Sequence, residues 1–238
     1  MYLDAAAFCG HWPYRHLRDG ELPQVLERLK AAGIEGGLMS SLDAIFYNDP
    51  WEADGPLVKA LAGTAWGVAM SVDPTQPWAE ALLRQGKDAG VAAVRLYPCV
   101  HGYEEDDERV VALCRFAGAL GLPVILTLRM EDERMAYLLT QKEPDFVKIR
   151  HLAENCANTK FILSNCLIHQ VEQMPANVWF DTAGFKGEFF LENQQCIPAD
   201  RILFGSFAPL QCIASATLSV PEALKQSVMK DNICQILK

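Results

Sequence analysis

The sequence predicts an α/β protein, a TIM-like (β/α)8 barrel made by a single domain over residues 1–238. Three observations carry that prediction. Eight short apolar runs recur along the chain, amphipathic segments separate them, and no Gly-x-Gly-x-x-Gly or Walker loop follows any run. Parallel strands need a crossover, which a helix supplies, so this alternation favours a parallel sheet. Eight repeats in this length suit a closed ring better than an open sheet, and the missing phosphate loops remove the usual signature of the open nucleotide-binding alternative.

In chain order the strand candidates are Tyr2–Phe8, Gly36–Ser40, Ala65–Val72, Val91–Tyr97, Pro123–Leu128, Lys160–Ser164, Val178–Asp181 and Arg201–Phe204. Each is short and mostly apolar, as suits a strand buried on both faces. Between them, Leu22, Val25, Leu26 and Leu29 keep the i, i+3, i+4, i+7 spacing of a helix with one apolar stripe, and Val110, Leu113, Cys114 and Ala117 repeat it. Phe146, Ile149 and Ala153 suggest another helix, and His169 to Met174 a short one. Ser219-Val-Pro-Glu222 reads as a capping box with proline in the first turn, opening a final helix that carries Leu224 and Val228. No linker or low-complexity segment interrupts the pattern, hence one domain.

Half the residues are hydrophobic (50%), enough for a substantial core, and the formal charge of −9 argues against a nucleic-acid surface. No stretch approaches the roughly 18 consecutive apolar residues of a membrane span, and the start lacks a basic lead with a cleavable apolar segment, so a cytoplasmic protein is expected. The cysteines at 9, 99, 114, 156, 166, 196, 212 and 234 form no Cys-x-x-Cys pair. They read as reduced core residues rather than as a zinc ribbon or redox motif. The acidic run Glu104–Glu108 suits the first turn of the helix that follows it.

In such a barrel the chemistry belongs at the C-terminal ends of the strands. There stand His11 and Arg15 after the first strand, Arg95, Tyr97 and His101 at the fourth, and Arg129 and Glu131 after the fifth. Asn165 follows the sixth strand, Asp181 ends the seventh and Ser206 follows the eighth. Guanidinium forks match carboxylate and phosphate, so Arg15, Arg95 and Arg129, with Tyr97, Asn165 and Ser206, point to a small anionic ligand. His11 or His101 is placed to move a proton, helped by Glu131 or Asp181. The competing reading pairs the arginines with Asp4, Asp181 and the Glu131–Glu133 cluster, where they only hold the loops. His16, His151 and His169 read as surface residues.

Four stretches then carry a resemblance: Leu3–Pro13; Val91–Pro98 with His101-Gly-Tyr103; Gly121–Leu126; and Asn177–Gly184 followed by Asp200–Ser206. In order and spacing they resemble the amidohydrolase superfamily, in its amidohydrolase-related branch of hydrolases and acid decarboxylases. The resemblance implies one or two divalent metals held at positions that match Ala6, Phe8, Thr127, Asn165 and Phe207 here. Alanine and phenylalanine donate no electron pair, so neither metal nor other cofactor is expected. A displaced site using Cys9, His11 and Cys166 is the weaker alternative. The function implied is metal-independent hydrolysis of a small anionic ester, lactone or amide, or lyase chemistry on a carboxylate. The alternative is a catalytically silent barrel that binds an anion or a protein partner. A third reading is a homo-oligomer subunit using exposed apolar residues at Trp51, Trp66 or Phe189–Phe190. Neither nucleic acid nor membrane is expected as a partner.

Overall fold

Each apolar run becomes a strand: β1 (Tyr2–Cys9), β2 (Ile34–Ser41), β3 (Trp66–Ser71), β4 (Ala93–Leu96), β5 (Val124–Thr127), β6 (Phe161–Ser164), β7 (Val178–Asp181) and β8 (Ile202–Leu203). The computed structural model describes residues 1–166, 174–184 and 197–237. Neighbouring strands pair parallel in the order β1 to β8. The Ala5 N–H donates to the Phe204 carbonyl at 2.8 Å and the Phe8 N–H to the Ala208 carbonyl at 2.7 Å, which brings the end of β8 against β1 and closes the ring. The β1–β2 register shifts between Asp4 and Ala7. Opposite it, Gly37 at φ +130° lies so close to the Asp4 backbone that a Cβ would collide with it.

The helices are α1 (Leu22–Ala31), α2 (Trp51–Leu61), α3 (Ala79–Ala89), the short α4 (Pro98–His101), α5 (Glu108–Ala119), α6 (Phe146–Asn155), α7 (Ile213–Ser219) and α8 (Asn232–Ile236). The stripes expected on α1, α5 and α6 face inward: Val25 and Leu29, then Val110, Leu113, Cys114 and Ala117, and Ile149 with Ala153 are buried. They pack on the outward faces of the strands in the largest apolar cluster. The final helix differs from expectation. Ser219 opens no helix; its hydroxyl donates to the Ala216 carbonyl at 2.8 Å at the end of α7. Pro221 instead leads a single 3-10 turn, Glu222–Leu224, and a π-helical turn, Ser227–Asp231, precedes α8. The acidic run is also divided. Asp107 caps α5 by accepting from the Arg109 N–H, while Glu105 pairs with Lys142 at 2.7 Å and Glu104 with Lys148 at 2.8 Å. Those pairs tie the segment before α6 to the barrel.

Trp66, expected among exposed apolar residues, is buried in the core, and Trp51 is half-buried against it. The described cysteines are all free, and Cys9, Cys99, Cys114, Cys156 and Cys166 are buried. The short helix at 169–174, His169, Cys196 and Phe189–Phe190 lie wholly or largely outside the described residues. Among the described residues no helix is long and apolar enough to cross a membrane.

Candidate functional site

Strand alternation builds the barrel interior in layers. Leu38, Ala69, Ala93, Ile125, Ile162 and Leu203 form an apolar floor with Leu3 and Ala5, into which Ile233 and Ile236 of α8 pack. Two residues further along each strand the same face presents Ser40, Ser71, Arg95, Thr127 and Ser164, all buried. Asp4, Asp181 and Ser206 are buried with them. Beyond comes a second apolar cluster that includes Ala6, Phe8, Trp12, Leu42, Tyr97, Met130, Phe207 and Leu210. The polar layer is therefore enclosed between two apolar ones.

Arg95 dominates that layer. It is 0% exposed. One end of its guanidinium donates from Nη1 to Thr127 Oγ1 at 3.2 Å, and the other from Nη2 to the Ala5 carbonyl at 3.1 Å. Its Cζ lies 4.6 Å from the centre of the Phe8 ring, and that ring meets Phe207 edge-on at 4.9 Å. Phe207 holds φ +54°, a left-handed conformation costly for a bulky residue and typical of functional turns. Asp4 Oδ1 accepts from the Ala6 and Ser206 N–H groups at 2.9 and 3.0 Å, and Asp181 Oδ1 from Asn165 and Ala183, both at 3.0 Å. The Ser206 hydroxyl also stands against the Asp4 carboxylate and the Ser164 hydroxyl against that of Asp181, each favouring the charged form. Burial pushes Asp4 up to about 6 and raises Asp181, while it lowers Arg95 against the opposing pull of Tyr97, Asp181 and Asp4. Tyr97 is also fully buried, and its phenol accepts from Ser71 Oγ at 3.5 Å.

At the mouth, Glu131 is a hub. Trp12 Nε1 and Arg15 Nε both donate to its Oε1 at 2.7 Å, and Arg15 Nη2 also reaches the Leu210 carbonyl at 2.6 Å. Gln141 holds the same turn, accepting from the Met130 and Glu131 N–H groups and donating to the Glu131 carbonyl at 2.9 Å. Arg129 stands beside this hub, half-buried, and among the described residues its guanidinium has no carboxylate partner. Asn165 donates from Nδ2 to the Arg129 carbonyl at 2.7 Å. Arg129 and Asn165 line two cavities of about 280 and 350 Å³: Glu133, Gln141, Lys142 and Cys166 line the first, Arg15, Glu131, Thr182 and Ser215 the second.

The histidines stand apart from this mouth. His11 is exposed, and its backbone N–H donates to Asp43 Oδ2 at 3.2 Å. His101 Nε2 lies 2.9 Å from the Ile45 carbonyl, which can only accept, so that nitrogen carries the proton. Its Nδ1 is buried and has no partner among the described residues. His101 lines a separate cavity of about 260 Å³ with Ser71, Asp73 and Trp78. Thus the structure brings together Arg15, Glu131, Arg129 and Asn165, seals Arg95, Tyr97, Asp181 and Ser206 below them, and leaves His11 and His101 elsewhere. Cys9 and Cys166 pack in the outer core, and among the described residues no group of three or more His, Cys, Asp or Glu is placed to hold a metal. Sequence reasoning missed Trp12 and Gln141 as the groups that fix Glu131. Gln141 lies in a segment with no periodic pattern, whereas Trp12 was visible beside His11.

The sequence model of the family described as amidohydrolase matches residues 39–211. No curated protein matches the chain. Among solved structures, 5-carboxyvanillate decarboxylase from Sphingomonas paucimobilis is similar at TM-score 0.75 and 11% identity, over 99% of this chain and 98% of that one. 2,6-Dihydroxybenzoate decarboxylase from Rhizobium is similar at TM-score 0.71 and 16% identity, over 99% and 97%. A dihydroxybenzoic acid decarboxylase from Polaromonas, with bound manganese and 2-nitroresorcinol, is similar at TM-score 0.73 and 14% identity, over 99% and 96%. At such identities the likeness is one of fold.

Proposed function

Because the chain belongs to the amidohydrolase family, we propose that its barrel mouth receives a small carboxylate-bearing compound at Arg129 and acts on it without a divalent metal. The observation that carries this is a half-buried guanidinium at the end of β5 that lines two adjoining cavities and has no carboxylate partner among the described residues. Such a fork binds carboxylate bidentately. The decarboxylases of similar fold are named for aromatic carboxylates, which favours the same ligand class here.

The residues at the inherited ligand positions do not fit a divalent metal. Phe8 and Phe207 present ring carbon, Ala6 a methyl group, and the Arg95 guanidinium adds a fixed positive charge against Phe8. Thr127 and Asn165 offer only neutral oxygens, one of which Arg95 already engages. Zinc and manganese sites need several nitrogen, sulfur or carboxylate donors. The reaction therefore draws on no metal-activated water: it is hydrolysis, in which water adds to the acyl carbon of an ester, lactone or amide and the alcohol or amine leaves with a proton, or loss of the carboxylate as carbon dioxide with a proton taking its place on carbon. Glu131 is committed to Trp12 and Arg15, so Glu133, an exposed carboxylate lining the Arg129 cavity, is the group placed to move a proton.

The test is calorimetric binding of benzoate and hydroxybenzoate probes, together with product formation from aryl esters, lactones and hydroxybenzoates. Arg129→Gln is expected to weaken probe binding at least tenfold at an unchanged melting temperature, and Glu133→Gln to remove turnover while binding persists. Equal affinity in Arg129→Gln contradicts the anion site, and binding with no product from any probe contradicts the catalytic part.

A further inference from the structure

We propose that Arg95 is the barrel's resident cation: its guanidinium occupies the ligand cradle and supplies from within the chain the positive charge that the buried carboxylates of the polar layer require. This rests on the metal-independent reading above. Three contacts place the group in the cradle. Nη1 touches Thr127, Cζ lies over the Phe8 ring, and Nη2 bonds the Ala5 carbonyl next to Ala6. Each of those neighbours is, or adjoins, a position that the resemblance assigns to metal ligation.

The charge balance points the same way. Asp4 and Asp181 are both 0% exposed, and their hydrogen-bond partners among the described residues are backbone N–H groups and the Ser206 and Ser164 hydroxyls, none of which carries charge. Carboxylates sealed between two apolar layers need a compensating charge in the same layer. Arg95 is the cation there, also 0% exposed. A guanidinium spreads its charge, is weakly hydrated and stacks on aromatic faces, whereas a divalent ion needs lone pairs around it. The aromatic side chains at positions 8 and 207 and the arginine at position 95 thus form one set. Phe207 backs the Phe8 ring edge-on, and Arg95 lies over that ring where a divalent ion would find carbon in place of lone pairs.

Thermal unfolding in EDTA, with and without added manganese or zinc, tests the assignment on wild type, Arg95→Met, Arg95→Lys and Arg95→Met/Asp181→Asn. Removing the charge is expected to lower the melting temperature by roughly 10 °C. Arg95→Lys, which keeps the charge but not the fork, should lose about half as much, and adding Asp181→Asn to Arg95→Met should restore several degrees. Neither metal ion should move the wild-type transition. Arg95→Met melting within about 2 °C of wild type overturns the assignment, as does an added loss with Asp181→Asn. Should Arg95→Met fail to fold, a folded Arg95→Lys supports the assignment and an unfolded one overturns it. Probe binding at Arg129 is expected to persist in folded Arg95 variants, so failure here is distinguishable from failure of the anion site.

Discussion

Replacing Phe8 separates a packed barrel centre from an open one. Phe8 is 0% exposed, meets Phe207 at 4.9 Å and lies under Arg95 at 4.6 Å. Phe8→Leu keeps most of the volume but removes the ring. The lost edge-to-face pair accounts for about 0.5–1.5 kcal/mol and the desolvated cation–π contact for about 2 kcal/mol, so a loss of about 2.5–3.5 kcal/mol is expected. Phe8→Ala also leaves a cavity, and buried Phe→Ala changes cost about 3–5 kcal/mol. Against a typical stability of about 5–15 kcal/mol, both effects are well resolved by urea unfolding followed by tryptophan fluorescence. In a chain of this size the leucine variant should melt roughly 5–14 °C lower. Were the cradle open to solvent or ligand, truncation would relieve nothing and strand nothing. Both variants within about 0.5 kcal/mol of wild type would therefore refute the packed centre.

Asp54 gives a prediction about pH. Burial raises its carboxyl from 3.8 to about 8, against the opposing pull of the Ser71 N–H, which it accepts at 2.7 Å. A folded-state value above the unfolded one means that the contribution of Asp54 to stability is full below about pH 4 and is lost as pH rises towards 8. Asp54→Asn, which keeps an acceptor for Ser71, should flatten that decline between pH 5 and 8.5; parallel curves for the two proteins would contradict it. At the mouth, Glu131→Gln keeps an oxygen for Trp12 but removes the charge facing Arg15. Arg15 is 33% exposed, so screening limits the loss to about 1–2 kcal/mol in urea unfolding, and a loss above 4 kcal/mol would show that the hub bears more of the fold than its bonds suggest.

The strands were readable because their outward faces and the floor of the barrel had to be apolar, leaving polar residues only near the strand ends, and every run became a strand within a few residues. The helices were readable where an unbroken stripe existed. In α2 the pattern is interrupted by Gly55 and Pro56 near its middle, and periodicity alone passes over it. Ser219 shows the limit of motif reading, since a serine that bonds backward to Ala216 matches the same letters as one that bonds forward. At the site, the difference between the arginines was latent in the strand period. Arg95 lies two residues beyond the inward Ala93, still within β4, and so points into the barrel, whereas Arg129 lies two residues past the end of β5 and reaches the mouth. Which mouth residues share a cavity was not legible, because Gln141 and Lys142 arrive from a segment whose path is fixed by long-range bonds to Glu131, Cys99 and Glu105.

Titration of EDTA-treated, dialysed protein with manganese and with zinc, followed by calorimetry and by the melting temperature, tests most directly the closed barrel centre with Arg95 as its cation. The expected result is no saturable uptake at micromolar ion and an unmoved transition. One equivalent bound per chain with a raised melting temperature would contradict it.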